Sequence, residues 1–344
     1  MIILVFAALI FPACKKDSAK NSGDKPIPAV SFGPKVDTSL VTPGSMVETQ
    51  RLYQFLKKNF GYKTLSSVTL TIGTTTELDY LKTQTGKQPA MAGTDFMDSG
   101  RGYNWFNDNW PINEAKAYWD QNGIPTIMWH WRDPSRKTEE FYANATAFDV
   151  SKIDDPASDE YKAIISDIDY VSGLLKVLQN EHVPVIWRPL HEGANGSFWW
   201  GAKGPGPYRK LFQLMYDRIV NYNGLKNLIW VYTTEPNDAD WYPRDQYVDI
   251  VGRDMYTSGD HSSQSAEFNR IYALYGGKKM VAYTEAGSIP DPDNLQRDGA
   301  AWAWVNIWSG DYVTGTTWNS LDLWKKTLAS DYVITLDKMP SLKN

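Results

Sequence analysis

Two glutamates stand at the ends of apolar runs that read as β-strands, Glu192 behind residues 183–190 (VPVIWRPL) and Glu285 closing residues 279–285 (KMVAYTE). A pair of carboxyl groups about 5 to 5.5 Å apart can cleave a glycosidic bond: one attacks the anomeric carbon, and the other protonates the leaving oxygen and later activates water. The two lie far apart in sequence, so only the fold could oppose them. Taken singly, a glutamate at a strand end is more often an ion-pair partner. Metal chemistry is the rival reading of His191-Glu192, but Gly193-Ala194-Asn195 comes next, without the second His of a zinc motif. With four His and one Cys in the chain, a multi-histidine or Cys-rich metal centre has little to draw on, and no metal is expected.

Positioning these groups is a task for the elements around them. Apolar runs recur at residues 64–72, 89–96, 124–131, 183–190, 227–233, 248–254, 279–285 and 301–308. They are nearly continuous rather than alternating, as parallel strands covered on both faces require. Helical patterns lie between them. In residues 159–179, Ile164, Ile168, Val171, Leu174, Leu175 and Leu178 share one face, and Pro184 follows the end. Residues 208–220 and 268–274 read the same way. Eight strands alternating with helices predict an α/β fold, a (β/α)8 TIM barrel forming a single catalytic domain. A doubly wound sheet is the runner-up, weakened by the lack of a glycine-rich G-x-G-x-x-G after an early strand. In such a barrel the C-terminal ends of the strands carry the chemistry. His130, Arg188, His191, Tyr256 and the indoles of residues 301–308 then converge on one rim with the two glutamates.

The chain has 344 residues, 15 Trp, 20 Tyr and 12 Phe, and a net charge of −5, so no basic face for nucleic acid is indicated. Most of the aromatics are expected to pack; some can form a surface for flat, partly apolar ligands such as sugars. Residues 2–11 are apolar, too short to span a bilayer, and end at Phe11-Pro12-Ala13-Cys14. This resembles the lipobox of bacterial lipoproteins, although no Lys or Arg precedes Cys14. The expected organisation is a signal peptide at 1–13, a lipidated Cys14 with a flexible tether at 14–44, and a catalytic domain at 45–344. Lipidation of Cys14 would anchor the protein at the bacterial outer membrane, facing the periplasm or the cell surface.

The string Arg188-Pro-Leu-His-Glu192, with Phe198-Trp-Trp-Gly201 after it, resembles the signature of glycoside hydrolase family 26, whose best-known members are β-mannanases. The Y-T-E-A-G run at Tyr283 and the D-M-Y run at Asp254 stand in the expected order, and the resemblance covers about residues 45 to 335. It implies a (β/α)8 barrel with Glu192 as general acid/base and Glu285 as nucleophile. It further implies that His191 and Arg188 orient the carboxylates and the sugar, and that Tyr256 hydrogen-bonds the nucleophile. His130 would face the sugar before the cleaved bond, and Trp304 would form the floor of that subsite. Of Trp199 and Trp200, at least one would stack on a sugar ring. The segment Gly193-Ala194-Asn195-Gly196-Ser197 departs from the pattern, lacking the tryptophan that many members place just before F-W-W.

The resemblance implies cleavage of β-1,4-mannosidic bonds in mannan, galactomannan or glucomannan by a monomer, with no cofactor. Mixed-linkage β-glucan and β-1,3-xylan are the minority substrates. The reading from another class is a non-catalytic glycan-binding lipoprotein, which would need a tryptophan-lined cleft but not both glutamates.

Overall fold

The computed structural model describes residues 35–343. The apolar runs become β1 Thr64–Thr69, β2 Met91–Asp95, β3 Ile124–Trp129, β4 Val185–Pro189, β5 Leu228–Thr233, β6 Ile250–Met255, β7 Met280–Ala286 and β8 Trp304–Ile307. Each pairs in parallel with the next, and β1 pairs with both β2 and β8, so the sheet closes into the expected (β/α)8 barrel. A short strand, β9 Val333–Ile334, fills the edge of β1 below the point where β2 joins it. The strands are buried along their length because the inner face packs in layers and the outer face meets helices. Cys14 and most of the expected tether lie outside the described residues.

Helix Asp159–Asn180 forms where the periodicity placed it. Ser158 caps it by accepting from the Tyr161 N–H, acidic residues occupy its first turn, and Ile164, Ile168, Val171, Leu175 and Leu178 are buried. Two other segments differ from the sequence reading. The helix expected over 208–220 runs from Pro205 to Tyr216 and then widens into a π-wound stretch, Asp217–Tyr222, in which the Asn223 N–H reaches back to the Arg218 carbonyl. Between β5 and β6 the connection is made by two single-turn 3-10 helices, Ala239–Trp241 and Asp245–Tyr247, rather than by an α-helix. Pro236 and Pro243 interrupt this stretch. The buried carboxylate of Asp238 stands in for helical bonds, accepting from the Tyr232 hydroxyl at 2.6 Å, the Thr234 hydroxyl at 2.8 Å and the Glu235 N–H at 2.8 Å.

At the foot of the barrel the segment ahead of helix Val47–Asn59 is tied to the strands by buried charges. Asp249, directly before β6, accepts from the Val41 N–H at 2.7 Å and the Trp230 N–H at 2.8 Å. Burial pushes its carboxyl up to about 7, against the two N–H groups that favour the charged form. Lys279, directly before β7, reaches Asp37 at 2.7 Å. Asp249→Ala strands two backbone donors, so unfolding stability in urea should fall by about 2 to 5 kcal/mol. An unchanged midpoint would show that this anchor does not hold the segment.

Candidate active site

Arg188, near the end of β4, spans the mouth of the barrel. Its Nη1 donates to Asp254 on β6 at 2.7 Å and its Nη2 donates to Glu285 on β7. All three side chains are buried. The Tyr256 hydroxyl, just past β6, donates to Glu285 Oε1 at 2.6 Å. Both oxygens of Glu285 therefore accept from groups that favour the carboxylate. A bulge sets this geometry: along β6 and β7, Arg253 pairs with Tyr283 but Asp254 pairs with Glu285, leaving Thr284 as the extra residue. The Thr284 hydroxyl donates to Asp254 Oδ1 at 2.6 Å. Gly252 makes room for it, because a Cβ there would lie 2.4 Å from Thr284 Oγ1.

Glu192 reaches the same space by a strained turn. Leu190 (φ 51°) and Glu192 (φ 53°) both take left-handed backbone conformations, which cost energy for residues with a side chain. Neighbouring hydrogen bonds hold the turn: Tyr208 donates to the Leu190 carbonyl and the Trp200 indole to the His191 carbonyl, each at 2.9 Å. Asn195 donates to Glu192 Oε2 at 2.8 Å. Gly201 closes the loop, since a Cβ at that position would lie 1.9 Å from the Gly193 carbonyl oxygen.

One oxygen each of Glu192, Asp254 and Glu285 lies within 4.8 Å of the others. That spacing would suit a cation, but the Arg188 guanidinium already supplies the positive charge for Asp254 and Glu285. For Glu192 and Glu285 it lies close to the ~5 to 5.5 Å of a retaining pair and well below that of an inverting one. Burial raises both carboxyls, Glu285 to about 7 against the pull of Arg188, while the charge of Asp254 pushes Glu192 further up. Glu285 has two donors favouring its charged form and Glu192 has one amide, so hydrogen bonding favours Glu192 as the protonated member of the pair.

A second polar chain runs alongside. Asp95, at the end of β2, accepts from the His130 backbone N–H at 3.0 Å and lies 2.6 Å from its Nδ1. The Nε2 atoms of His130 and His191 are 3.0 Å apart, and His191 Nδ1 has no hydrogen-bond partner among the described residues. Burial works against a charge on His130, but the Asp95 carboxylate outweighs it and raises the imidazole above its usual range. His191 is driven well below that range by burial, then by the charges of His130 and Arg188. The chain is therefore carboxylate, imidazolium and neutral imidazole, with His130 donating at both ends.

The sequence profile of glycosyl hydrolase family 26 matches residues 41–338. The chain belongs to glycosyl hydrolase family 26. A mannan endo-1,4-β-mannosidase of Thermothelomyces thermophilus is 38% identical over 315 residues, covering 89% of this chain and 64% of that protein. Mannan endo-1,4-β-mannosidase B of Piromyces is 34% identical over 92% of this chain and 56% of its own length. The chain thus spans less than two thirds of the length of these curated relatives. Among solved structures, a β-mannanase from a symbiotic protist of the termite Reticulitermes speratus, complexed with gluco-manno-oligosaccharide, is 39% identical. Its TM-score is 0.85, over 89% of this chain and 99% of that one.

In this family 26 chain the structure brings together Glu192, Glu285, Arg188, His191, His130 and Tyr256, six of the positions singled out in the sequence. It places the three indoles elsewhere. Trp304 is the first residue of β8, pairs with Leu65 near the start of β1 and is 2% exposed, so it lies toward the foot and not at the mouth. Trp308, just past β8, is the indole that meets the His130 ring edge-on at 5.6 Å. Trp199 and Trp200 are fully buried, their N–H groups spent on the carbonyls of Trp131 and His191. Neither offers a face to a sugar. Trp105, in the loop after β2, is 67% exposed and stacks on Tyr103, whereas Trp119 and Trp131 are buried.

Sequence reading did not single out Asp254, Asp95 or Glu235 as site residues. Asp254 stood in the D-M-Y run and Asp95 at the end of an apolar run, so position was the available signal. Glu235, two residues past β5, pairs with Arg253 at 2.6 Å and is pushed up to about 7 by burial. Asp95→Asn should remove the charge that holds the proton on His130. Imidazole resonances tracked by NMR across pH should then show His130 titrating at least about one unit lower, the size expected for losing an adjacent opposite charge. A His130 curve that does not move would refute the assigned protonation of the chain.

Proposed function

We propose that this chain is a β-mannanase that cleaves β-1,4-mannosidic bonds in mannan, galactomannan or glucomannan by double displacement. The observation that carries the reading is the pair itself: Glu192 and Glu285 within 4.8 Å, with both oxygens of Glu285 held by Arg188 and Tyr256. The mannan endo-1,4-β-mannosidases among its relatives support the choice of mannan.

The geometry supplies each step. Glu285, kept ionised by its two donors, attacks the anomeric carbon as protonated Glu192 gives its proton to the leaving oxygen. A covalent glycosyl–Glu285 ester forms, and the chain beyond the bond departs. The charge on Glu285 is then gone, which removes a negative neighbour from Glu192, and its pKa falls. Glu192, now a carboxylate, takes a proton from water as that water attacks the anomeric carbon, breaking its bond to Glu285, releasing the sugar and restoring the Glu285 carboxylate. Arg188 remains between Asp254 and the reacting carboxylate throughout, offsetting the charge that forms and disappears.

We further infer the arrangement around this core: residues 45–344 as the catalytic domain, joined by the segment from Val36 onward that is anchored to the barrel, acting as a monomer, residues 1–13 as leader, and the residues between a lipidated Cys14 and Val36 as a tether at the outer membrane. The apolar run at residues 2–11 and the Ala13-Cys14 step support it. In a bacterial host, Cys14→Ser should move the protein from the detergent-soluble membrane fraction to the soluble one. Retention of the variant in the membrane would refute the anchor.

The decisive activity test pairs two variants with two substrates. Glu285→Ala should lose about four orders of magnitude or more on mannan and on an activated aryl glycoside, since both need the nucleophile. Glu192→Ala should lose about two to four orders on mannan but far less on the aryl glycoside, whose leaving group needs no proton. Equal losses of Glu192→Ala on both substrates would remove it from the acid role. Undiminished cleavage by Glu285→Ala would overturn the mechanism. Parallel product profiles on galactomannan, lichenan and β-1,3-xylan decide among substrates, and binding without cleavage would make the protein a glycan-binding module.

A further inference from the structure

The loop that carries Glu192 has no aromatic side chain of its own before Phe198, running Gly193-Ala194-Asn195-Gly196-Ser197. Phe198 itself is 5% exposed. The acid/base therefore has no ring from its own strand end against which the departing sugar could lie. The loop after β3 supplies one. Tyr142 and Phe198 form an isolated antiparallel bridge, flanked by hydrogen bonds from the Ala143 N–H to the Ser197 carbonyl at 2.8 Å and from the Trp199 N–H to the Phe141 carbonyl at 3.0 Å. Two loops from neighbouring strands are thus joined into a short ribbon.

The ribbon fixes a column of rings. Trp200 is fully buried, and Phe198 stacks on it at 4.4 Å and 20°. Tyr142 stacks on Phe198 at 5.7 Å and 17°. Tyr142 is 46% exposed, and its hydroxyl has no hydrogen-bond partner among the described residues. Phe198 also touches the His191 ring at 5.3 Å, so the column starts beside the residue that precedes Glu192. Asn195, which donates to Glu192, accepts from the Ser197 N–H at 2.8 Å within the same ribbon. Rings near Glu285 belong to other elements: Tyr256 packs with Tyr312 and Trp318. The sugar that takes the proton lies on the side of the acid, and the ribbon that carries Tyr142 is continuous with the loop that bears Glu192.

A single exposed tyrosine is ordinary on a protein surface. This one differs in being held at both its backbone and its ring, so its orientation is fixed before a ligand arrives. We propose that Tyr142 is a binding platform for the leaving-group side of the cleft, on which the first sugars beyond the cleaved bond stack. The proposal rests on the mannanase reading and adds the residue that holds the departing half of the chain.

The test compares two substrates that share the sugars retained by the enzyme and differ in what leaves. Mannotetraose cut at its central bond loses mannobiose; β-mannobiosyl fluoride loses fluoride, which reaches no platform. Tyr142→Ala should lower kcat/KM on mannotetraose by about five- to tenfold, the scale of one aromatic stacking contact, and leave the fluoride rate within a factor of about two. Tyr142→Phe and Tyr142→Trp, which keep a flat face, should restore most of the mannotetraose rate. Equal losses on both substrates would show that Tyr142 only props Phe198 and His191, and would overturn the proposal, as would an unchanged mannotetraose rate. Wild-type protein that cleaves the fluoride but not mannotetraose would overturn the mannan reading, and the platform with it.

Discussion

The site depends on one buried cation. Arg188 lies between Asp254 and Glu285, with Glu192 close by, so three carboxyl groups share one guanidinium. Two unit charges within 4.8 Å repel by roughly 3 kcal/mol or more at an effective dielectric constant of about 20. Three ionised carboxylates against one arginine would leave a net excess of two negative charges in a dry space. One proton relieves much of that excess, and hydrogen bonding decides who carries it. Asp254 is held by Arg188 and Thr284, and Glu285 by Arg188 and Tyr256; Glu192 has only Asn195. A proton on Glu192, as the proposed mechanism requires, follows from charge balance around Arg188.

That arrangement makes demands on the barrel. Arg188 comes from β4 and its partners from β6 and β7, so the guanidinium ties non-adjacent walls across the mouth. Pairing of this kind tolerates little displacement, because an ion pair taken out of water repays its desolvation only with good geometry. The bulge at Thr284 and the strained turn at Leu190 and Glu192 are the local adjustments that meet it. Both are supported by groups that cannot change cheaply, Gly252 under the bulge and Gly201 under the turn. Strain at the site is held by packing outside it, so the rigid frame and the reactive geometry have one origin.

Much of this was legible in the sequence, for identifiable reasons. Strands covered on both faces write themselves as apolar runs, and a barrel gathers the residues at the C-terminal ends of those runs on one rim. Glu192, His191, Arg188, His130 and Tyr256 stand out in that way. The misplaced residues are those that depend on register. Trp304 and Trp308 lie in the same run, four residues apart, which along a strand is about 13 Å. That separates the foot of the barrel from its mouth. Trp199 and Trp200 looked available because aromatic pairs suit sugars, yet their N–H groups are spent on backbone carbonyls, those of Trp131 past β3 and of His191 in the strained turn. Asp95 and Asp254 take their meaning from residues on other strands. The β5–β6 connection defeated the expectation of a helix because its bonds come from the Asp238 side chain, invisible to a periodicity.

The abundance of tryptophan acquires a different meaning from the one composition suggests. Ten of the fifteen indoles are buried. Trp200 packs against His191, and Trp129 and Trp131 stack at 4.1 Å behind the His130 segment. Large apolar rings in these places back the two histidines as part of the packed frame behind the strand ends. An aromatic wall of this kind supports the site without offering a face to a sugar. Among the rings that meet solvent, Tyr142 and Trp105 are each stacked on a neighbouring ring. Composition marks an aromatic-rich cleft; burial divides it into a supporting wall and a small set of faces free to bind.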